Sequence, residues 1–307
     1  MALVSASDIT HSIVAETVFG TTPTTTATRY ALPLSADQAP LKADAGAIAS
    51  PTKMPNRASN GSRRGMLTVD GSLDVRFMRA PFMDVLLQSA LSGTYATNVL
   101  KAGITDSSFS VLTSLQGGAA GQQMVKQFGG CMVSGFSIGA KANEEVTSSW
   151  DIIGLNATNL TTDNALAVTA LPAGTLEFIG SELANITVAG QTLSIAELTF
   201  ETKLDRTRRP TLTASPNLAY GVNGTRETTL TVKAYRESFA IDTAVTGLAQ
   251  PVTFDIGATG TGYRFNLPAA YGNIPVDELS DGSAFVTITF TAGYDNTAAT
   301  DVVVTRL

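Results

Sequence analysis

An all-β fold with a minor α contribution is the class this sequence predicts, and three observations carry it. Alternating apolar and polar residues recur along the chain, as in Leu73-Asp74-Val75-Arg76-Phe77, the period of a strand with one buried face. Charged residues are only 15%, and Thr, Ser, Ala and Gly fill the gap; threonine suits strands, and glycine and serine suit turns. Helical signals are confined to two short segments, 80–93 and 238–247. The expected architecture is a tandem of β-sandwich or half-barrel units, each with one flanking helix.

Taken in order, residues 1–28 are polar and threonine-rich and predict an N-terminal arm that orders only on a partner. The first unit is expected over 29–157. It starts with a strand at 30–35, followed by a long connection, 36–65, punctuated by Pro40, Pro51 and Pro55; loops of that length are normally functional or disordered. The connection ends in a basic, glycine-flanked run, Asn60-Gly61-Ser62-Arg63-Arg64-Gly65. A strand at 66–77 follows, with Leu73, Val75 and Phe77 on one side and Asp74 and Arg76 on the other. In the helix at 80–93, Pro81 suits the first turn and Gly93 the end, and Phe82, Met83, Leu86, Leu87 and Ala90 share the face that packs on the sheet. Strands are expected near 109–115, 124–128, 132–140 and 145–155. Gly117-Gly118 and Gly129-Gly130 read as hairpin turns between them.

A Thr/Asn/Ala-rich stretch makes 158–175 the expected linker to a second unit at 176–307. Strands are expected there near 176–179, 193–203, 228–235, 252–256, 263–267, 284–292 and 301–305. The helix at 238–247 should pack through Phe239 and Ile241 and end at Gly247. The two halves align as one unit written twice. Leu73 to Phe82 lines up with Leu230 to Phe239 at a constant shift of 157, and each copy follows an arginine-rich loop.

The chemistry-bearing residues exclude more than they support. The only histidine, His11, lies in the polar arm and reads as a solvated side chain. Cys131, the only cysteine, reads as a small buried hydrophobe, and a chain with one cysteine forms no internal disulfide. No Cys/His cluster has metal spacing, and Asp277-Glu278 with Asp281 reads as a solvated turn, since it lacks the spaced ligands of a calcium loop. A glycan hydrolase would need paired carboxylates in an aromatic cleft, yet Trp150 is the only tryptophan and aromatics total 7%. The sequence therefore predicts no enzyme, with no catalytic, cofactor-binding or metal-binding residues. No apolar run reaches the ~18 residues of a membrane span, and residues 1–19 lack the basic start and apolar run of a signal peptide. The net charge of −6 argues against tight DNA binding, which rests on phosphate contacts.

The loop, strand and single helix between Asn60 and Gly93 resemble the tail tube proteins of long-tailed bacteriophages. The resemblance continues through Asn98-Val99-Leu100-Lys101-Ala102-Gly103, Ser108-Phe109-Ser110-Val111 and the run from Gly130 to Ile138, and covers about residues 50–157. It implies a virion subunit, made in the host bacterial cytoplasm, that closes into a ring-shaped β-barrel. Its rings stack into a hollow conduit for DNA ejection. Partners would be further copies of the chain, three per ring if it carries two units and six if one, together with a tape measure and a terminator protein. DNA would pass through the lumen without specific binding, along a wall that is acidic or neutral, and no membrane would be involved. By position, the two arginine loops match the long stacking loop of that family, so Arg57, Arg63, Arg64, Arg206, Arg208 and Arg209 are expected at the ring-stacking interface; a solvated face is the other reading of these arginines. The competing class is another virion structural protein, such as a capsid decoration protein or an adhesin.

Overall fold

The computed structural model describes residues 8–34, 38, 41–52, 54–55, 60–115, 124–188, 190–209, 219–222, 224–280 and 282–307. The first half contains β1 (Ile9–Ala15), β2 (Arg29–Leu32), β3 (Lys42–Ala49), β4 (Ser62–Arg76), α1 (Pro81–Leu91), β5 (Tyr95–Ala96), β6 (Val99–Lys101), β7 (Phe109–Leu115), β8 (Met124–Lys141), β9 (Thr147–Gly154) and β10 (Asn156–Leu160). The second contains β11 (Val168–Thr169), β12 (Leu183–Val188), β13 (Gln191–Thr192), β14 (Ile195–Lys203), β15 (Arg206–Arg209), β16 (Ala219–Val222), β17 (Glu227–Tyr235), α2 (Ala240–Ala244), β18 (Ala249–Ile256), β19 (Tyr263–Gly272), β20 (Val276–Ser280), β21 (Ser283–Gly293) and β22 (Val303–Arg306). The chain is all-β with minor α.

Strict alternation builds the main layer. Its strands run β3-β4-β9-β8-β14-β17-β21-β20, and every pairing is antiparallel. Leu73, Trp150, Phe136, Phe200, Leu230 and Phe290 point to one side and are all buried. Behind them lies a second layer, β6-β22-β19-β18-β12. Aromatic rings fill the gap: Trp150 stacks on Phe136 at 4.7 Å, Phe136 meets Phe200, and Phe200 meets Phe265 at 5.2 Å. Offset and tilted ring pairs of this kind add about 0.5–1.5 kcal/mol each beyond their buried area. Residues of both halves share this one core. Among the described residues β3 is a free edge of the main layer, whereas beyond β21 the edge is shared by β20, against Ser283–Thr287, and the end of β19, against Phe290–Gly293, so the main layer runs on into the second there.

Several expectations are corrected. The polar arm is part of the body, because β1 pairs with β2 and along its full length with β7. Glu16 pins the next turn by accepting from the amides of Gly20 and Gly130, both at 2.8 Å, and from the Ser108 and Ser110 hydroxyls. His11 is buried, with Nδ1 3.1 Å from the Thr113 hydroxyl, and burial lowers its pKa. Gly129-Gly130 does not reverse the chain. It kinks β8, whose first part pairs with β7 and β10 and whose last part pairs with β9 and β14. Gly130 has φ +62°, and a Cβ there would meet Leu155 at 2.6 Å. Gly117-Gly118 lies outside the described residues. The stretch 158–175 carries part of β10 and all of β11, which pairs with β2.

The first helix packs as expected: Phe82, Met83, Leu86 and Leu87 are fully buried. The second shrinks to five residues. Ile241 is buried, but Phe239 is 77% exposed, with the Arg236 guanidinium 4.9 Å above its ring. The shift-157 alignment explains the failure: it matches Met83, Leu86 and Leu87 to Ala240, Thr243 and Ala244, so this helix has no apolar stripe to bury. The strand partners diverge too. Leu73 pairs with Trp150, 77 residues on, whereas Leu230 pairs with Phe290, 60 residues on.

Candidate functional site

Among the described residues most of the outer face of the main layer is uncovered; at one edge Gln38 reaches it, donating from Nε2 to Asp74 Oδ2 at 3.0 Å. The registers of the layer align the side chains in rows: Asp74, Ser149, Ser137, Glu201, Thr229 and Thr291 form one, and Arg76, Thr147, Gly139, Thr199, Thr231 and Thr289 the next. The face is a carpet of small hydroxyls. Many are tied sideways, as where Ser149 donates to Asp74 Oδ1 at 2.5 Å and the Thr231 and Thr289 hydroxyls meet at 3.2 Å.

Beside Lys42 on β3, four cations stand on this face, and each of the four has a carboxylate. Arg76 meets Glu145 at 2.7 Å, Lys141 meets Glu197 at 3.3 Å, Lys203 meets Glu201 at 3.0 Å, and Lys233 meets Glu278 at 2.9 Å. Asp70, Asp74, Asp151 and Glu227 add further negative charge. Burial raises the Asp151 pKa, repulsion from Asp74 and Glu201 raises it further, and Lys203 opposes the shift. Surface pairs contribute little stability, typically ~0–1 kcal/mol. Their effect here is on the field: four of the cations are compensated within the chain, whereas Lys42, at the β3 edge, makes no ion pair among the described residues.

The second feature is a projecting hairpin, which occupies much of the connection expected at 36–65. β3 and the first half of β4 pair from Lys42 and Asp70 to Ala49 and Ser62, and Ser50 N donates to Gly61 O at 2.9 Å. Neither face of this arm is buried until Val69. Seven residues of β4, 62–68, extend beyond that point, roughly 20 Å of strand. Gly65 is needed at the bulge, since a Cβ there would meet Gly46 O at 2.6 Å. Arg63 and Arg64 lie opposite Ile48 and Ala47, exposed, and make no ion pair among the described residues.

The other predicted arginines are placed differently. Arg206 is buried: Nη2 lies 3.0 Å from Asp106 Oδ1 and donates to Ser89 O at 3.0 Å and Ser92 Oγ at 3.1 Å. Arg208 clamps the root of the hairpin, donating to Val69 O at 2.7 Å and pairing with Asp70. The second arginine loop is thus anchored on the first half of the same chain, at α1 and at the root of β4. Arg57 and the side chain of Arg209 lie outside the described residues. Sequence reasoning missed the hydroxyl face, although its signal is present as period-two threonines at Thr229 and Thr231 and at Thr287, Thr289 and Thr291.

Cys131 is fully buried, and burial pushes its thiol pKa up, so it is no nucleophile. Asp277 and Glu278 are engaged by Arg236 and Lys233, and Asp281 lies outside the described residues. Among the described residues no group of three or more His, Cys, Asp or Glu side chains could hold a metal ion, and no helix is long and apolar enough to cross a membrane.

A family model described as phage tail tube protein matches residues 6–292 of the chain. No curated protein matches it.

Proposed function

The chain belongs to the phage tail tube protein family, and from that premise we propose that its copies close into rings, that the rings stack into a hollow tube, and that DNA leaves the virion through the lumen. Membership makes the protein a structural component of the virion tail, in a family whose role is structural. The observation that supports the conduit reading is the hydroxyl face of the main layer, where Arg76, Lys141, Lys203 and Lys233 are each neutralised within the chain. In this reading that face lines the channel. DNA carries one negative charge per ~1.7 Å of axis, so free cations along the wall would hold it by counterion release.

The projecting hairpin supports ring stacking, with Arg63 and Arg64 as its contacts to the neighbouring ring. Arg206 leaves this role, since it is spent inside the chain. Three chains per ring remain the proposed count, resting on the shift-157 alignment alone, since the second helix and the strand partners of the two halves differ. The tape measure and terminator proteins are the proposed neighbours along and at the end of the tube.

Electron microscopy of the purified chain tests the reading. Rings or hollow tubes with the hydroxyl face on the channel are expected. A chain that stays monomeric at all concentrations, or a tube whose channel surface is mainly positive, overturns it.

A further inference from the structure

The projecting hairpin takes no direction from its own packing. Neither of its faces is buried before Val69, and a two-stranded ribbon without a packed face is marginally stable and free to twist. What aims it must act at its root. Over the roughly 20 Å of strand beyond Val69, a turn of about 10° at the root moves the tip by about 3–4 Å. That is several times the ~0.5 Å range over which an N–H···O bond holds.

The root is gripped from both halves of the chain. The pairing of β4 with β9 ends at Val69 and Gly154, which sit so close that a Cβ on Gly154 would lie 2.9 Å from Val69 Cγ1. Leu41, just before β3, is buried. From the second half, Arg208 on β15 donates from Nη2 to Val69 O at 2.7 Å and pairs with Asp70, which faces Lys42 across the hairpin. One guanidinium thus holds the backbone of one residue and the side chain of the next, where β4 leaves the body.

The strand that carries Arg208 is itself anchored. Leu204, just before it, is buried and donates its amide to Ser134 O at 2.7 Å. Arg206 stands two positions before Arg208, on the same side of β15, and is held at the end of α1 by Ser89 O, Ser92 Oγ and Asp106. β16 backs the strand along Arg206–Arg209. β15 is therefore a splint: one arginine ties it to the helix, and the next on that side ties the hairpin to it.

We propose that Arg208 is a positioning residue, which fixes the angle at which the hairpin leaves the sheet. Through that angle it sets where Arg63 and Arg64 meet the neighbouring ring, a ring that Arg208 itself does not touch. A planar fork suits the task, because two directed bonds resist rotation where a lysine ammonium pivots. The effect on tubes rests on the stacking reading above; the grip on the hairpin belongs to the single chain.

A nitroxide label on Ile48→Cys reads the hairpin's motion, since Ile48 is exposed and Cys131 is fully buried, out of the reagent's reach. A second label, on Thr147→Cys at the exposed start of β9, reads the body. In the unassembled chain, Arg208→Ala should narrow the spectral lines of the hairpin label and leave those of the body label unchanged. Melting should fall by no more than about 5 °C. Arg208→Lys should restore only part of the order. In the unlabelled chain, Arg208→Ala should leave rings intact and make tubes short or irregular in length. Unchanged lines from the hairpin label overturn the positioning role, and so does narrowing at both labels, which would mark a general loosening. A mobile hairpin with tubes of normal length upholds the grip of Arg208 and overturns the stacking reading instead.

Discussion

Replacing Arg206 by Ala separates the fold from the assembly, because a sequence-based reading assigns this residue to an interface and the structure assigns it to the interior. The side chain crosses from β15 to the end of α1, pairs with Asp106 and donates to Ser89 O and Ser92 Oγ, while Nη1 lies 3.1 Å from Met132 Sδ. Removing one partner of a buried ion pair costs about 3–5 kcal/mol. Asp106 remains partly exposed and keeps the Ser92 hydroxyl as donor at 2.9 Å, which moves the expected loss somewhat below that range, to ~2–4 kcal/mol. A domain's whole stability is roughly 5–15 kcal/mol, so the loss is large but survivable. At about 2–3 °C per kcal/mol for a chain of this size, the melting temperature should fall by ~4–12 °C. Scanning calorimetry on dilute, unassembled protein reads this directly, since assembly would otherwise add its own stabilisation. Arg206→Lys should recover part of the loss, because it keeps the charge without the planar fork. A melting temperature within about 1 °C of the parent would refute the burial and return Arg206 to the ring-stacking surface.

The other predictions follow from the same placement. Replacing Arg63 and Arg64 together by Ala should leave melting and ring formation unchanged and shorten or abolish tubes, because each exposed contact of ~0.2–1 kcal/mol is repeated around the ring; normal tube length at both low and high salt removes them from the interface. Phe82→Ala should cost ~3–5 kcal/mol by opening a cavity, whereas Phe239→Ala should stay within ~0.5 kcal/mol; equal losses in denaturant titrations would contradict the difference between the helices. For Asp151 the folded pKa lies above the unfolded one, so the folded state binds its proton more tightly and stability rises as pH falls through the folded pKa. Asp151→Asn should therefore raise the melting temperature at neutral pH and remove that rise on acidification; a lower melting temperature at neutral pH would show that the carboxylate is stabilising.

What the sequence made legible was whatever buries one face. The second half of β4, β14, β17 and most of β21 alternate, and α1 repeats its apolar residues at helical spacing, so periodicity finds them. β3 escaped because Lys-Ala-Asp-Ala-Gly-Ala-Ile-Ala lies in a hairpin exposed on both sides, where no packing imposes a pattern. β8 was split because a glycine pair that kinks a strand reads like one that reverses it; the difference lies in Leu155 and Asn156, which pack against it from another strand. The arginines failed for a longer-range reason. Arg63 and Arg206 sit in similar local strings, and only the fold brings Asp106 to Arg206, 100 positions away in sequence, while leaving Arg63 in the open. His11 likewise looked solvated until β7 closed over it.

The composition and the sheet face explain each other. A wall along which DNA slides must stay wetted without holding phosphate. Apolar residues would satisfy the second condition and fail the first, by making an exposed patch that invites aggregation. Lysine would satisfy the first and fail the second, since each phosphate contact adds ~0.9 to the salt slope of binding, and every copy facing the lumen in the proposed tube would add its own contacts. Threonine and serine meet both conditions. Their hydroxyls hydrogen-bond water or one another, as between Thr231 and Thr289, and the β-branch of threonine suits the strand that carries it. For four of the cations on the face, Arg76, Lys141, Lys203 and Lys233, a carboxylate stands within 3.3 Å. The low charged fraction and the acidic balance are thus what a channel wall requires when one broad sheet face, in every copy, is turned to the lumen.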